Sequence, residues 1–161
     1  MPRRAVGSPS LLAQATALLA RREHSRAELA RKLVRRLGGT GSPGEVEAVL
    51  DKLQRRGLLS ETRFAASVVR TRSLRIGDAR LAYELRTRGV PAEVAAAALS
   101  DLRRAGESEL VRARDVWSRR FGVAPGSAEE RARQARFLLR RGFSAEVIRK
   151  VLSGLPGDDG A

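Results

Sequence analysis

The side chains able to move a proton, attack a carbon or hold a metal are few in this chain, and their spacing suits none of those tasks. His24 is the only imidazole. It stands beside Ser25 where a helix begins, so its role is that of a surface or packing residue rather than a general base. Nothing near it supplies a triad. Glu129 and Glu130 fall where acidic residues favour the positive end of a helix, and Asp158 and Asp159 lie in a C-terminal tail, so neither pair works as acid and base. Gly38 to Gly44 is glycine-rich but lacks the Gly-Lys-Ser/Thr sequel and the preceding strand of a nucleotide-binding loop, so it reads as a linker. With no cysteine there are no disulfides or thiolate metal sites, which fits a reducing compartment. The expectation is a protein that is not an enzyme, with no catalytic residues, no cofactor and no metal.

What the chain has in abundance is guanidinium. Its formal net charge is +14, and only Lys32, Lys52 and Lys150 are lysines. Arginine pairs bidentately with phosphate and carboxylate, so the balance suggests a polyanionic partner, either nucleic acid or an acidic protein surface. The plainer alternative is a GC-rich coding sequence that leaves many arginines as ordinary solvated helix residues. Paired helices joined by glycine turns would suit a DNA backbone. Asparagine is absent, however, and base readout leans on Asn, Gln or Arg. Any DNA contact should therefore run through phosphates, of single- or double-stranded DNA, and be salt-sensitive and indifferent to sequence. The tryptophan and phenylalanines fall at helical core positions, which argues against a base-stacking platform.

The elements that must carry these arginines are helices. Aromatic content is only 4%, and Ala, Leu and Arg dominate, which suits close-packed helices better than a sheet. The stretch Gly77 to Gly89 organises the rest. Leu81, Ala82 and Leu85 form an apolar face, Arg80, Arg86 and Arg88 line its sides, and Gly89 closes it before Val90-Pro91-Ala92-Glu93-Val94 opens another helix. The pattern recurs at Phe137 to Gly142 followed by Phe143 to Val147, and more loosely at Leu33 to Gly38 followed by Glu45-Val46. Arg3 and Arg4 ahead of Leu11 to Ala20 resemble a secretion signal only superficially, because Gln14 and Thr16 interrupt a one-sided apolar face. No apolar run approaches a membrane span, so a cytoplasmic protein with no membrane partner is expected.

Capping signals at Ser10, Ser25 with Glu28, Ser42-Pro43 with Glu45, Ser60, Pro91 and Ser127 with Glu130 divide the chain into about nine helices. The first should run from about Ser10 to Glu23. Glu-Val at 45–46, 93–94 and 146–147 marks the third helix of each of three similar units. The predicted fold is all-α, an elongated array of three tandem three-helix repeats at 10–58, 59–105 and 106–154, with flexible tails at 1–9 and 155–161. Core faces include Val94, Ala97, Ala98 and Leu102 in the sixth helix and Ala132, Ala135, Leu138 and Leu139 in the eighth. Charge is spread evenly over the three units, as a long polymeric partner would use it.

The chain resembles the RecX family, bacterial regulators of the RecA recombinase. The resemblance covers about residues 10 to 153. It is carried by Arg22-Glu23-His24-Ser25-Arg26-Ala27-Glu28-Leu29, Leu50-Asp51-Lys52-Leu53, Gly57-Leu58-Leu59, Arg63-Phe64-Ala65, Gly77-Asp78-Ala79-Arg80-Leu81 with Glu84-Leu85 and Arg88-Gly89-Val90, and Phe137 to Ser144. His24 departs from the family's usual tyrosine and Ser60-Glu61 from its two aspartates. The resemblance implies a protein that lodges in the helical groove of RecA filaments on DNA and inhibits ATP hydrolysis, strand exchange and co-protease activity, and a monomer is expected. The expected contacts are Arg70, Arg72, Arg80, Arg86 and Arg88 in the middle unit and Arg133, Arg136 and Arg140 in the last. The alternative is a sequence-independent DNA-binding protein with no recombinase partner.

Overall fold

Serine hydroxyls start most of the helices. In the computed structural model, which describes residues 9–38, 42–106 and 108–153, the Oγ atoms of Ser10, Ser25, Ser42, Ser60, Ser108 and Ser127 each accept a backbone N–H in the first turn of the helix they precede. Each bond satisfies one of the donors that a helix start leaves free. The described residues form nine helices: α1 Leu11–Leu19, α2 Arg26–Arg36, α3 Pro43–Arg55, α4 Glu61–Arg72, α5 Asp78–Thr87, α6 Ala92–Arg104, α7 Glu109–Arg120, α8 Ala128–Arg140 and α9 Ala145–Ser153. Residues 1–8 of the tail expected at 1–9, the tail expected at 155–161, and residues 39–41 of the glycine linker lie outside the described residues. Pro91 precedes α6 as its cap rather than opening it.

Helix α1 ends four residues short of the expected Glu23. The cause is His24, which is 1% exposed and not at the surface. Its Nδ1 donates to the carbonyl of Arg22 (3.0 Å) and its Nε2 accepts from Lys32 Nζ (3.0 Å). That pairing needs the chain to turn inward after Ala20. Burial is the main influence that lowers the pKa of the ring, and it stays neutral with one nitrogen donating and one accepting.

Each consecutive helix triplet encloses its own apolar cluster. Leu29, Leu33, Leu50 and Leu53 centre the first, Phe64, Leu81, Leu85 and Leu99 the second, and Trp117, Leu138, Phe143 and Val151 the third. Ala15, Ala65 and Ala113 occupy the same register of α1, α4 and α7 and are all 0% exposed, so each first helix is approached closely at the same point. Two expected core residues lie outside. Leu139 is 59% exposed because α8 turns Gln134 and Leu138 inward, where Gln134 Oε1 accepts the Trp117 indole N–H (2.7 Å). Ala97 is exposed because α6 buries Ala95, Leu99 and Leu102.

The triplets are joined twice by the same device. At the first joint, Ser25 Oγ donates to the carbonyl of Arg88 (2.6 Å), and the N–H of Arg26 donates to Glu61 Oε1 (2.7 Å). At the second, the N–H of Gly77 donates to the carbonyl of Arg141 (2.8 Å), and the N–H of Asp78 donates to Glu109 Oε1 (3.0 Å). In both, the start of one triplet's second helix receives the turn before the next triplet's third helix and the glutamate that opens its first. Only glycine fits that turn. Gly89 and Gly142 have φ of +80° and +83°, and a Cβ there would meet Ala27 Cβ at 2.5 Å and Arg80 Cβ at 2.4 Å. Gly77 and Gly89, the two ends of the organising stretch, each belong to one joint.

The second oxygen of the joint glutamate is held differently in the two. Glu109 Oε2 accepts from Ser144 Oγ (3.1 Å). The position in register with Ser144 is Pro91, and Glu61 Oε2 is buried with no hydrogen-bond partner. Burial, partly offset by the Arg26 N–H, raises the pKa of Glu61 above the ordinary glutamate value. The folded protein thus holds this proton more tightly than the unfolded chain. The joint's contribution is full below the ordinary glutamate pKa and declines as pH rises through the folded value. Pro91→Ser supplies the missing hydroxyl. In a double-mutant cycle with Glu61→Gln at neutral pH, the serine and the carboxylate should couple by about 1–2 kcal/mol. The decline of stability with pH should also flatten. Urea denaturation of the four proteins across the acid to neutral range measures both, and zero coupling would refute the account.

Candidate functional site: an arginine cleft between the second and third triplets

Basic residues in the last turn of a helix interact favourably with its negative end, and α4, α7 and α8 all finish this way. The second joint brings these three ends together. Around them opens a cleft of about 470 Å³, lined by Arg72, Arg75, Arg80, Arg119, Arg120, Arg140 and Arg141 with Leu74, Ile76, Val116 and Phe137. Seven guanidinium groups from the second and third units meet here.

The carboxylate that meets these guanidinium groups is Glu84. Arg72 grips it with both ends, Nε to Oε2 at 3.0 Å and Nη2 to Oε1 at 2.7 Å. That grip is the main reason the Glu84 carboxyl titrates below its ordinary value and Arg72 above its own. Arg80 stands farther off, at 3.9 Å from Glu84 Oε1. Arg141 lies 4.0 Å over the ring of Phe137, which packs edge-on against Phe121, and Arg120 is held 5.6 Å from the Phe121 ring. Ring contacts of this kind orient a guanidinium while leaving its N–H groups free for an oxyanion. Arg75, Arg119 and Arg140 make no ion pair among those found in the described residues. The cleft can clamp planar or tetrahedral oxyanions, that is, phosphodiesters or carboxylates. Among the described residues there is no group of three or more His, Cys, Asp and Glu that could hold a metal.

Of the arginines expected to contact a partner, Arg72, Arg80 and Arg140 line the cleft. Arg70 lies at a neighbouring apolar groove, and Arg86 is exposed beside Tyr83, with its guanidinium 5.4 Å from the ring. Arg88 is half-buried in the first joint, where its carbonyl takes the Ser25 hydroxyl and its Nη1 is 3.7 Å from Glu28, so its contacts are internal. Arg133 and Arg136 are exposed on α8 and do not line the cleft. Sequence reasoning missed Arg75, Arg119, Arg120 and Arg141. The signal for Arg119, Arg120 and Arg141 was doublets at helix ends close to a glycine, a placement that periodicity on a single helix does not rank, and Arg75 lies in the loop between α4 and α5 with no such signal. It also missed Arg112, 3% exposed, which stands in register with Phe64 at an inward-facing position of α7.

Fold and cleft together define an all-α helical-repeat protein with an arginine-lined junction. Two known families match it, described as the second three-helix domain of RecX at residues 60–99 and the third at residues 107–152. A regulatory protein RecX of Leptothrix cholodnii is 54% identical over 143 residues, covering 89% of this chain and 87% of that protein. One from Ralstonia nicotianae is 46% identical over 153 residues, covering 94% and 92%. The crystal structure of RecX from Lactobacillus salivarius superposes with a TM-score of 0.74 at 20% identity, covering 90% of this chain and 94% of that one. The chain belongs to the RecX family of regulatory proteins. No helix among the described residues is long and apolar enough to cross a membrane.

Proposed function

We propose that this protein is a non-enzymatic, cytoplasmic regulator that binds RecA filaments on DNA in their helical groove and inhibits ATP hydrolysis, strand exchange and co-protease activity. Membership of the RecX family supports the partner, and one observation supports the mode of contact. Seven arginines converge on one cleft where, among the described residues, Glu84 is the carboxylate already engaged. Such a site attracts phosphates or acidic protomer surfaces, and several moderate contacts along one chain gain avidity on a repeating polymer. Bridging neighbouring protomers would hinder the motions that the filament's cycle needs.

The experiment compares inhibition of RecA ATP hydrolysis at substoichiometric protein with anisotropy on bare single-stranded DNA. The triple variant Arg75→Ala, Arg119→Ala, Arg140→Ala should keep its melting temperature, since these side chains make no ion pair among the described residues. If each arginine meets one phosphate, the variant should lower the salt slope of DNA binding by about 2 and weaken binding more than tenfold at low salt. Unchanged affinity and slope would remove the cleft from the contact. Tight, salt-sensitive DNA binding with no effect on RecA would favour the second reading, a sequence-independent DNA-binding protein. The absence of asparagine and the phosphate-suited chemistry of the cleft are compatible with that reading.

A further inference from the structure

The middle triplet holds a second concavity that the cleft does not explain. Between α4 and α6 lies an apolar groove of about 570 Å³, lined by Val69, Val94 and Leu102 and by the small side chains of Ala66, Ala97 and Ala98. Its depth comes from side-chain size. In the third triplet the residues in register with Thr62, Val69 and Ala97 are Leu110, Trp117 and Lys150, each larger than its counterpart. The same helix arrangement thus carries bulk in one triplet and an opening in its neighbour. Ala66 and Ala97 are exposed, and leucine serves an exposed helix position nearly as well as alanine, so neither core packing nor helix formation demands the opening.

Leu74 connects this groove to the arginine cleft. It is 52% exposed and lines both concavities, and Arg75 follows it. A ligand lying across Leu74 meets an apolar recess on one side and guanidinium groups on the other. Glu93 and Asp101 also line the groove. We infer that the groove docks a polypeptide segment of the partner, which inserts an apolar side chain between α4 and α6 and sets carboxylates across Leu74 toward Arg75 and the cleft. A nucleic acid strand satisfies only the cleft half of this surface. Its backbone brings no alkyl side chain for the recess, and its phosphates would face Glu93 and Asp101. The apolar half draws on water release rather than charge, so it resists salt where the cleft does not. This inference rests on the reading that a RecA filament is the partner, and it gives the protein component of that filament its own place on the chain.

Filling the groove tests it. Ala66→Leu combined with Ala97→Leu adds bulk at two exposed positions, and Thr62→Leu installs at a third groove position the leucine that the third triplet carries in register, leaving the cleft lining untouched. The probes are RecA filaments on single-stranded DNA, read by ATP hydrolysis, and bare single-stranded DNA of the same length, read by anisotropy. Both variants should need about tenfold more protein for half-inhibition, equivalent to about 1.4 kcal/mol, while their affinity for bare DNA stays within about twofold of the parent. Inhibition unchanged in both variants overturns the inference. So does an equal loss on filaments and bare DNA, which would put nucleic acid in the groove. If the parent protein itself leaves RecA ATP hydrolysis untouched, the filament reading falls and this site falls with it. That failure shows in the parent, before any variant is compared.

Discussion

Arg112→Ala is expected to cost about 3–5 kcal/mol and to loosen the third triplet from the second. The Arg112 guanidinium is buried at the second joint, where Nη1 donates to the carbonyls of Ser73 (3.1 Å) and Ile76 (2.9 Å) and Nη2 pairs with the Asp78 carboxylate. Asp78 also takes Arg103 (2.9 Å), but the two carbonyls have no such second partner among the bonds found. Removing the guanidinium leaves them buried beside half of an ion pair, the costly way to break a buried charge. Against a typical total stability of about 5–15 kcal/mol, that loss is decisive. Trp117, the single tryptophan, lies in the third triplet and reports on it alone. In urea the Trp117 fluorescence transition should shift below the circular dichroism transition, so that the two cease to coincide. Arg112→Lys should fall between, because one ammonium cannot span acceptors arranged for a fork. A variant with coincident, unshifted transitions would show that the joint does not depend on this residue.

The second large effect is purely steric. Gly77 has an ordinary φ of −80°, so alanine there carries no backbone penalty. Its Cβ would nonetheless lie 2.3 Å from the carbonyl oxygen of Gly142, 2.4 Å from its carbon and 2.5 Å from the nitrogen of Phe143. All three are backbone atoms that cannot rotate aside. The joint must open, with loss of the Gly77 to Arg141 hydrogen bond, and Gly77→Ala should cost about 3 kcal/mol or more. Gly57→Ala is the control. It has a φ of +68° but open space around it, so only the left-handed backbone resists, at about 1 kcal/mol. Equal denaturation midpoints for the two variants would argue against the close approach.

The helices were legible because their signals are local. A capping serine or a closing glycine marks each of them, and both act within one turn. The joints were not legible, although their residues were noticed. Gly77, Gly89 and Gly142 read as helix ends, and only the fold shows that they are also places where one backbone lies against another. The cleft was half legible for a related reason. Arg72, Arg80 and Arg140 stand out on single helices, but a site assembled from three helix ends and a loop has no period of its own. Arg88 has the same composition signal as Arg80 and a different fate, because its turn is spent on Ser25. Ala97 and Leu139 show the limit of helical periodicity. Their faces shift by about one residue when a neighbouring side chain, such as Trp117 with its need for a hydrogen-bond acceptor, decides which residue turns inward.

The start of α1 bears on whether the joint can be repeated between copies of this chain. A contact between unlike faces has no built-in end: whatever accepts one unit can accept another, and fibres grow by that logic. Helix α1 opens with Leu11 where α4 and α7 open with the glutamates that each accept an N–H from a neighbouring triplet. The first triplet therefore brings no such carboxylate to another copy, and this bond of the joint has no counterpart there for a second molecule to repeat.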